Sequence, residues 1–307
     1  MSEAQQFDVV VVGGGVAGLT AGLFSARLGR STLVLEAVMP GGHLGSIVKI
    51  EDFPGFPEGV AGYDLGPMIQ EQAANAGAEF QMAELQSIAA KDGGWRISSS
   101  DGEILAKAVI VATGSSNRLL CVPGEQRLVG KGVSHCASCD GPMLKGKKVI
   151  VVGAGDSGLQ EALTLAEYAG EVLVLHRSAE STAQEVYQKR VREQSKIKVQ
   201  GSTVIEEILG DSVVSGARVR SNGGTQEIAA EAVFVYIGLQ PNTGLLKGTA
   251  DLDDAGRLRT DIWMRTSAKG MFAAGDVRAD SASQAITAAG DGATAAIAAD
   301  RYLMGLV

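Results

Sequence analysis

Phe7-Asp8-Val9-Val10-Val11-Val12-Gly13-Gly14-Gly15-Val16-Ala17-Gly18 is the stretch on which the fold turns. The run Phe7 to Val12 is nearly all apolar and ends in glycine, the signature of a strand buried on both faces in a parallel sheet. Gly13, Gly15 and Gly18 follow the spacing G-x-G-x-x-G. The first glycine makes the turn, the second lets backbone approach a pyrophosphate, and the third lets helix and strand pack closely. A helix starting there presents free N–H groups and the positive end of its dipole. A small-residue helix is predicted over about Val16–Leu28 and a strand over Ser31–Glu36. The acid Glu36 closes that strand, where a carboxylate can accept from both hydroxyls of a ribose. The segment therefore reads as a βαβ unit that binds a dinucleotide.

The same grammar recurs downstream. Lys148–Val152 reads as a strand, Gly153-Ala154-Gly155-Asp156-Ser157-Gly158 as a second loop, Leu159–Tyr168 as a helix and Glu171–His176 as a strand. The second unit ends not on an acid but on His176-Arg177. Arg177 would attract a 2′-phosphate by a charge-assisted contact, which favours NADP over NAD. Ala108–Gly114 and Gly270–Asp276 read as further buried strands ending in glycine turns, and an alanine-rich helix is predicted over about Ser283–Leu303. That last segment is expected to pack back on the first domain. Positions 91–94 and 221–225 read as hairpin turns. Two Rossmann-like units in one α/β chain are the predicted architecture.

Composition agrees with this reading. With 307 residues, 45% of them apolar, the chain can bury two cores. Its 41 glycines and 7 prolines suit tight strand-to-helix turns rather than disorder. The net charge of −8 and the lack of a Lys/Arg cluster argue against a nucleic-acid binder. The start, Met1 to Asp8, is polar and is not read as a leader, and no run reaches the roughly 18 apolar residues of a membrane span. Three cysteines make no secreted disulfide framework, so a cytoplasmic enzyme is expected.

Between the two loops lies His135-Cys136-Ala137-Ser138-Cys139-Asp140. A C-x-x-C pair has three readings: a zinc site, two inert core thiols, or a redox dithiol. Zinc needs about four ligands, and neither a second C-x-x-C nor a spaced His pair is present, although Cys121, His135, Cys136 and Cys139 could be combined. The redox reading is preferred, because a dithiol beside a dinucleotide site can exchange electrons with it. Asp140 is then the candidate for proton transfer with a departing thiolate, or else a helix cap. His135 is read as structural rather than as the base. Cys121, near Pro123, is read as a packed small hydrophobe.

These residues in this order resemble the low-molecular-weight thioredoxin reductases, over nearly the whole chain. The markers are Gly13 to Gly18, Gly41-Gly42-His43-Leu44, Phe53-Pro54-Gly55-Phe56-Pro57, Ala112-Thr113-Gly114, Pro123-Gly124-Glu125, Cys136 to Gly141, Gly155-Asp156-Ser157, Ile237-Gly238, Pro241-Asn242-Thr243 and Ala274-Gly275-Asp276-Val277. The resemblance implies two domains: an FAD-binding domain from residues 1–117 and 248–307, and an inserted NAD(P)-binding domain, 118–247, that carries the dithiol. It implies FAD held by Gly13, Gly15, Gly18, Glu36, Gly42, His43, Leu44, Asp52, Thr113, Gly114, Gly275, Asp276, Gln284 and Ala285. NADPH would be held by Gly153, Gly155, Asp156, Ser157, His176, Arg177 and Gly238. It further implies a homodimer and a path from NADPH to FAD to Cys136–Cys139 to thioredoxin or a similar small disulfide, with Cys139 facing the flavin and Cys136 attacking the substrate. Larger disulfide reductases carry their cysteines just after the first nucleotide unit, where this chain has Gly41-Gly42-His43-Leu44. The chain departs from the family pattern at His43, Asp52, Ser178, Thr182 and Ser283, and lacks the usual aromatics in Gly141-Pro142-Met143-Leu144. Those departures motivate an alternative with another donor, a ferredoxin or a flavin, or a small-molecule dithiol oxidase. A flavin-bound redox sensor without turnover is the non-enzymatic alternative.

Overall fold

A computed structural model describes residues 4–306, so Met1, Ser2, Glu3 and Val307 lie outside the described residues. The chain forms two compact units, one from residues 1–116 and 240–307, the other from 117–239.

In the first unit, β1 (Gln5–Val12) leads into α1 (Val16–Arg27), then β2 (Thr32–Glu36), α2 (Gly62–Asn75) and β3 (Glu79–Met82). A meander follows: β4 (Leu85–Lys91), β5 (Gly94–Ser99) and β6 (Gly102–Val111), ahead of the short β7 (Ser115–Asn117). The sheet order is β3-β2-β1-β6-β5-β4. The β1, β2 and β3 pairings and the β1–β6 pairing are parallel, whereas β5 runs antiparallel to both β4 and β6. The hairpin between β4 and β5 turns on Asp92 and Gly93, both with positive φ, as the twist of a two-residue hairpin requires.

In the second unit the short β8 (Val133–Ser134) precedes α3 (Ala137–Asp140), β9 (Lys148–Val152), α4 (Asp156–Tyr168), β10 (Glu171–Leu175), α5 (Glu185–Glu193) and β11 (Ile197–Gln200). Three antiparallel strands follow, β12 (Val204–Leu209), β13 (Gly216–Ser221) and β14 (Gly224–Ala229), and β15 (Ala232–Val235) returns to the parallel sheet. That sheet has the order β11-β10-β9-β15-β8. The helix α4 starts at Asp156, earlier than the predicted Leu159, because Gly155 already supplies its N-cap.

The chain re-enters the first unit through β16 (Leu239–Pro241), adds β17 (Met271–Ala273) beside β6, and ends in α6 (Ala285–Leu303). The return comes at residue 240, not at 248. Segment 240–247 belongs to the first unit because Asn242 N–H donates to Gly114 O (3.0 Å), the Thr243 hydroxyl donates to Gly256 O (2.6 Å), and Leu246 is buried in that unit's core.

Each central strand is buried on both sides, as its apolar run implies. Val10 and Val12 face one cluster with Trp95 and Ile97, while Val9 and Val11 face another with α1 and α6. In the second unit Val149 and Val151 pack under α4 and α5, and Ile150 and Val152 pack toward the three-stranded sheet. Each such valine contributes about 1.5–3 kcal/mol on leaving water. Packing of α6 on α1 depends on Gly292, where a Cβ would lie 2.1 Å from Ala17 O.

Candidate functional site

Within the first unit, the end of β1 is a close-packed turn. Gly13 has φ +105°, and a Cβ there would lie 2.3 Å from Ala112 O. A Cβ on Gly18 would lie 1.8 Å from Gly13 O. Gly15, the N-cap of α1, has nothing within 4 Å of its Cβ position, no side chain caps the helix, and no acid stands in its first turn. The helix thus offers unscreened N–H groups at an open surface. Glu36 accepts from Gly14 N–H with Oε2 (2.5 Å) and from Val38 N–H with Oε1 (2.9 Å).

Contacts join further predicted residues to this turn. Gly15 bridges to Gly41, and His43 Nε2–H donates to Ser115 O (2.7 Å). The Ser115 and Ser281 hydroxyls donate to Asp276 Oδ2 and Oδ1, each at 3.3 Å. Thr113 and Asn242 exchange two hydrogen bonds of 2.9 Å, and Gly114 stands open with φ +62°. Gly275 abuts α1, its Cβ position 3.0 Å from Ala17 Cβ. Gln284 caps α6, which begins at Ala285. The exposed Gly42 lies against Gly15, its Cβ position 3.3 Å from Gly15 Cα. Leu44 differs: its side chain is buried in a core cluster with Leu19 and Leu65, so it supports the site from beneath. Asp52 is exposed, and no contact among the described residues joins it to this set. An open diphosphate cradle and a pinned acid at the ribose position fit FAD.

Sequence reasoning missed one device here. Arg278 and Asp291 form a two-armed ion pair (2.6 and 3.0 Å), and Asp291 Oδ2 also accepts from Gly275 N–H (3.1 Å). Asp291 lies inside an alanine-rich helix, where the pattern signals only packing.

The second unit repeats the turn. Gly153 has φ +116°, its Cβ position is 2.0 Å from Tyr236 O, and a Cβ on Gly158 would lie 2.2 Å from Gly153 O. Gly155 is open, with only Thr182 Oγ1 at 3.8 Å. Asp156 accepts from Gln184 N–H (2.7 Å) and Gln184 Nε2 (3.1 Å), so its carboxylate pins the start of α5. Ser157, Arg177 and Gly238 are exposed. His176 is buried, and that burial pushes its imidazole below the usual histidine range. It therefore stands as a neutral ring, leaving Arg177 as the cation of the His-Arg pair. The open glycine face and Arg177 fit a phosphorylated dinucleotide.

Cys136 and Cys139 form a disulfide, with Cα atoms 5.3 Å apart. Cys136 is the N-cap of α3, and Cys139 N–H points at Cys136 Sγ (3.2 Å). Cys139 is exposed, and Cys136 and Asp140 are half-buried. His135 Nδ1–H donates to Val235 O (2.9 Å), a structural contact. Asp140 is the last residue of α3 and stands at the N-cap of the 3-10 helix Gly141–Leu144, though its side chain makes no capping bond. Cys121 is exposed rather than packed, because positive φ (57°) turns it outward while the buried Glu125 accepts its N–H (2.7 Å). Among the described residues, no three His, Cys, Asp or Glu side chains are placed to hold a metal, and no helix is long and apolar enough to cross a membrane.

Comparison with known proteins agrees with this geometry. The family model for pyridine nucleotide-disulphide oxidoreductases matches residues 7–292. The chain is 40% identical to the thioredoxin reductase of Treponema pallidum (strain Nichols) over 299 residues, 97% of each chain. Its structure is similar to the crystal structure of Lactococcus lactis thioredoxin reductase in the FR conformation, with TM-score 0.95 and 36% identity over 98% of this chain and 100% of that one. T. acidophilum thioredoxin reductase is similar too, with TM-score 0.94 and 33% identity over 99% and 100%.

Proposed function

Because the chain belongs to the pyridine nucleotide-disulphide oxidoreductases, and within them to the low-molecular-weight thioredoxin reductases, we propose that Cys136 and Cys139 pass electrons, and Asp140 a proton, to the disulfide of thioredoxin. The chain is an FAD-dependent oxidoreductase acting on a disulfide, and its family uses NADPH. A different donor is not favoured by relatives of this identity and coverage.

Bound FAD would supply a two-electron relay between NADPH and the dithiol. The residues that would hold it are the Gly13–Gly18 turn, Glu36, Gly42, His43, Thr113, Gly114, Gly275, Asp276, Gln284 and Ala285, with Leu44 beneath and Asp52 at the periphery. The Gly153–Gly158 turn, His176, Arg177 and Gly238 would hold NADPH, with Arg177 on the 2′-phosphate and the neutral His176 as packing.

The observation that carries the reading is the Cys139 N–H aimed at Cys136 Sγ. Once the pair is reduced, that donor stabilises a thiolate on Cys136, which makes it the nucleophile. Cys136 attacks one sulfur of the substrate disulfide, forming a mixed disulfide and releasing a thiolate. Asp140, next in the chain, delivers a proton to it. Cys139 then attacks Cys136, re-forms the internal disulfide and releases the second substrate thiol. Two electrons and two protons move outward, and a hydride from NADPH together with one proton from solvent restores them.

Cys139→Ser tests this. The variant keeps its flavin and its bleaching by NADPH under anaerobic stopped flow, but thioredoxin turnover falls at least a thousandfold. Wild-type protein that millimolar NADPH fails to bleach would sink the reading. A homodimer in the cytoplasm completes it, supported by the family and by sparse cysteine, and sedimentation checks the oligomer.

A further inference from the structure

Glu161 on α4 belongs to neither glycine loop, yet its carboxylate lies against the dithiol turn. Oε2 accepts from Ala137 N–H (3.0 Å), the first N–H of α3 and the residue after Cys136. The same oxygen accepts from the Tyr236 hydroxyl (3.3 Å). Ala137 is fully buried, so that N–H has no water as an alternative partner. Tyr236 also donates its own N–H to Val152 O (2.7 Å), and its carbonyl is the atom on which Gly153 packs. One side chain thus ties the strand end under the second glycine loop to the cysteine turn.

The protonation states agree with this geometry. Burial pushes the Glu161 carboxyl above the usual carboxylate range, and the bonds from Ala137 N–H and Tyr236 O–H offset only part of that. Burial first, then the charges of Glu161 and Asp140, push the Tyr236 hydroxyl well above the usual tyrosine range, so it stays a donor.

We propose that Glu161 is a positioning residue for the dithiol, holding the Ala137 N–H and so deciding which donors reach the Cys136 sulfur. This rests on the redox reading of the pair given above. Reduction breaks the Sγ–Sγ bond and takes up two electrons from NADPH and two protons, giving two thiols, of which Cys136 ionises. With Glu161 present, Cys139 N–H serves that thiolate and Ala137 N–H does not. Without Glu161, Ala137 N–H is free to turn to the sulfur and a nearby negative charge is gone. Both changes stabilise the reduced pair and make it a weaker reductant.

The test titrates full-length, FAD-loaded protein against lipoic acid redox buffers and counts alkylated cysteines by mass. Glu161→Ala is expected to move the dithiol equilibrium at least tenfold toward the reduced form, which is 29.6 mV for this two-electron couple. Glu161→Gln keeps an acceptor for Ala137 and is expected at wild type or between wild type and Glu161→Ala. An alanine variant within threefold of wild type, a shift toward the oxidised form, or a glutamine variant equal to the alanine variant overturns the proposal. If Glu161→Ala does not fold, Glu161→Leu, which fills the space without an acceptor or a charge, is read instead. A shift of threefold or more in the same direction is expected, and none overturns it. Flavin bleaching by NADPH in the same samples tests the underlying redox reading separately.

Discussion

Gly13 and Gly153 stand in the same left-handed backbone, with φ +105° and +116°. Each donates its N–H to a leucine of the next strand, Leu35 or Leu175, at 2.8 Å. Each has its third glycine folded against its own carbonyl. What closes the two turns differs. In the first unit both oxygens of Glu36 hold loop N–H groups, and Gly14 leaves it room, since a Cβ there would lie 3.1 Å from Glu36 Cβ. In the second unit His176 takes that place, packs beside Gly201, and leaves Ala154 where Gly14 stood. On the proposed reading, the shared backbone would seat a diphosphate at either turn, and the residue at the strand end would select the nucleotide.

The most damaging way to probe this comparison is a methyl group at the first glycine of each turn. Gly13→Ala and Gly153→Ala each combine a left-handed alanine with a carbonyl clash, a cost of roughly 2–5 kcal/mol. Gly13→Ala is expected to purify without flavin. Gly153→Ala is expected to keep flavin and to lose NADPH bleaching more than a hundredfold. Flavin absorbance and stopped flow separate them, and a flavin-free Gly153→Ala would break the comparison.

Next in size is Glu36→Ala, which removes a charged acceptor worth about 1.5–3 kcal/mol. FAD affinity measured by flavin fluorescence is expected to fall about ten- to a hundredfold, while His176→Ala leaves it unmoved. Arg177→Ala follows, with KM for NADPH rising about tenfold and KM for NADH unchanged. Equal rises for both would remove Arg177 from the 2′-phosphate.

The smallest effect is a pH dependence. His176 binds its proton more weakly in the folded than in the unfolded chain, so the unfolded state holds more protons in acid. Its contribution is present above the unfolded value of about 6.5 and is lost as pH falls through it. Between pH 7 and 5 the melting temperature of wild type is expected to drop further than that of His176→Asn. Parallel curves would show that His176 titrates normally.

Both turns were legible because their glycines are dictated by contacts within a dozen residues of chain or with a neighbouring strand. β9 matched its predicted span residue for residue, and β1 and β2 came within two residues at each end. Glu161 was not legible. Leu159-Gln160-Glu161-Ala162 reads as ordinary amphipathic helix, and its partners Ala137 and Tyr236 come from distant segments. Cys121 misled because a small apolar residue near Pro123 suggests packing, whereas its exposure follows from backbone φ. Of the meander β4–β6 only the first turn was predicted, although the second, at Ser100-Asp101-Gly102, carries a readable Asp-Gly signal.

The ion pair between Arg30 and Asp300 closes a sequence separation of 270 residues, and α6 completes the core over α1. The second unit, by contrast, is one uninterrupted stretch, 117–239. On the ribosome its full set of contacts is available as soon as residue 239 has emerged. The first unit must wait for β17 and α6, with the outer faces of β6 and α1 bare in the interval. Long-range closure of this kind slows folding and prolongs the exposure of apolar surface. Assembly in this chain therefore does not follow the order of the strands along it: the inserted unit is able to mature first, and the unit opened by β1 is finished only when α6 packs on α1.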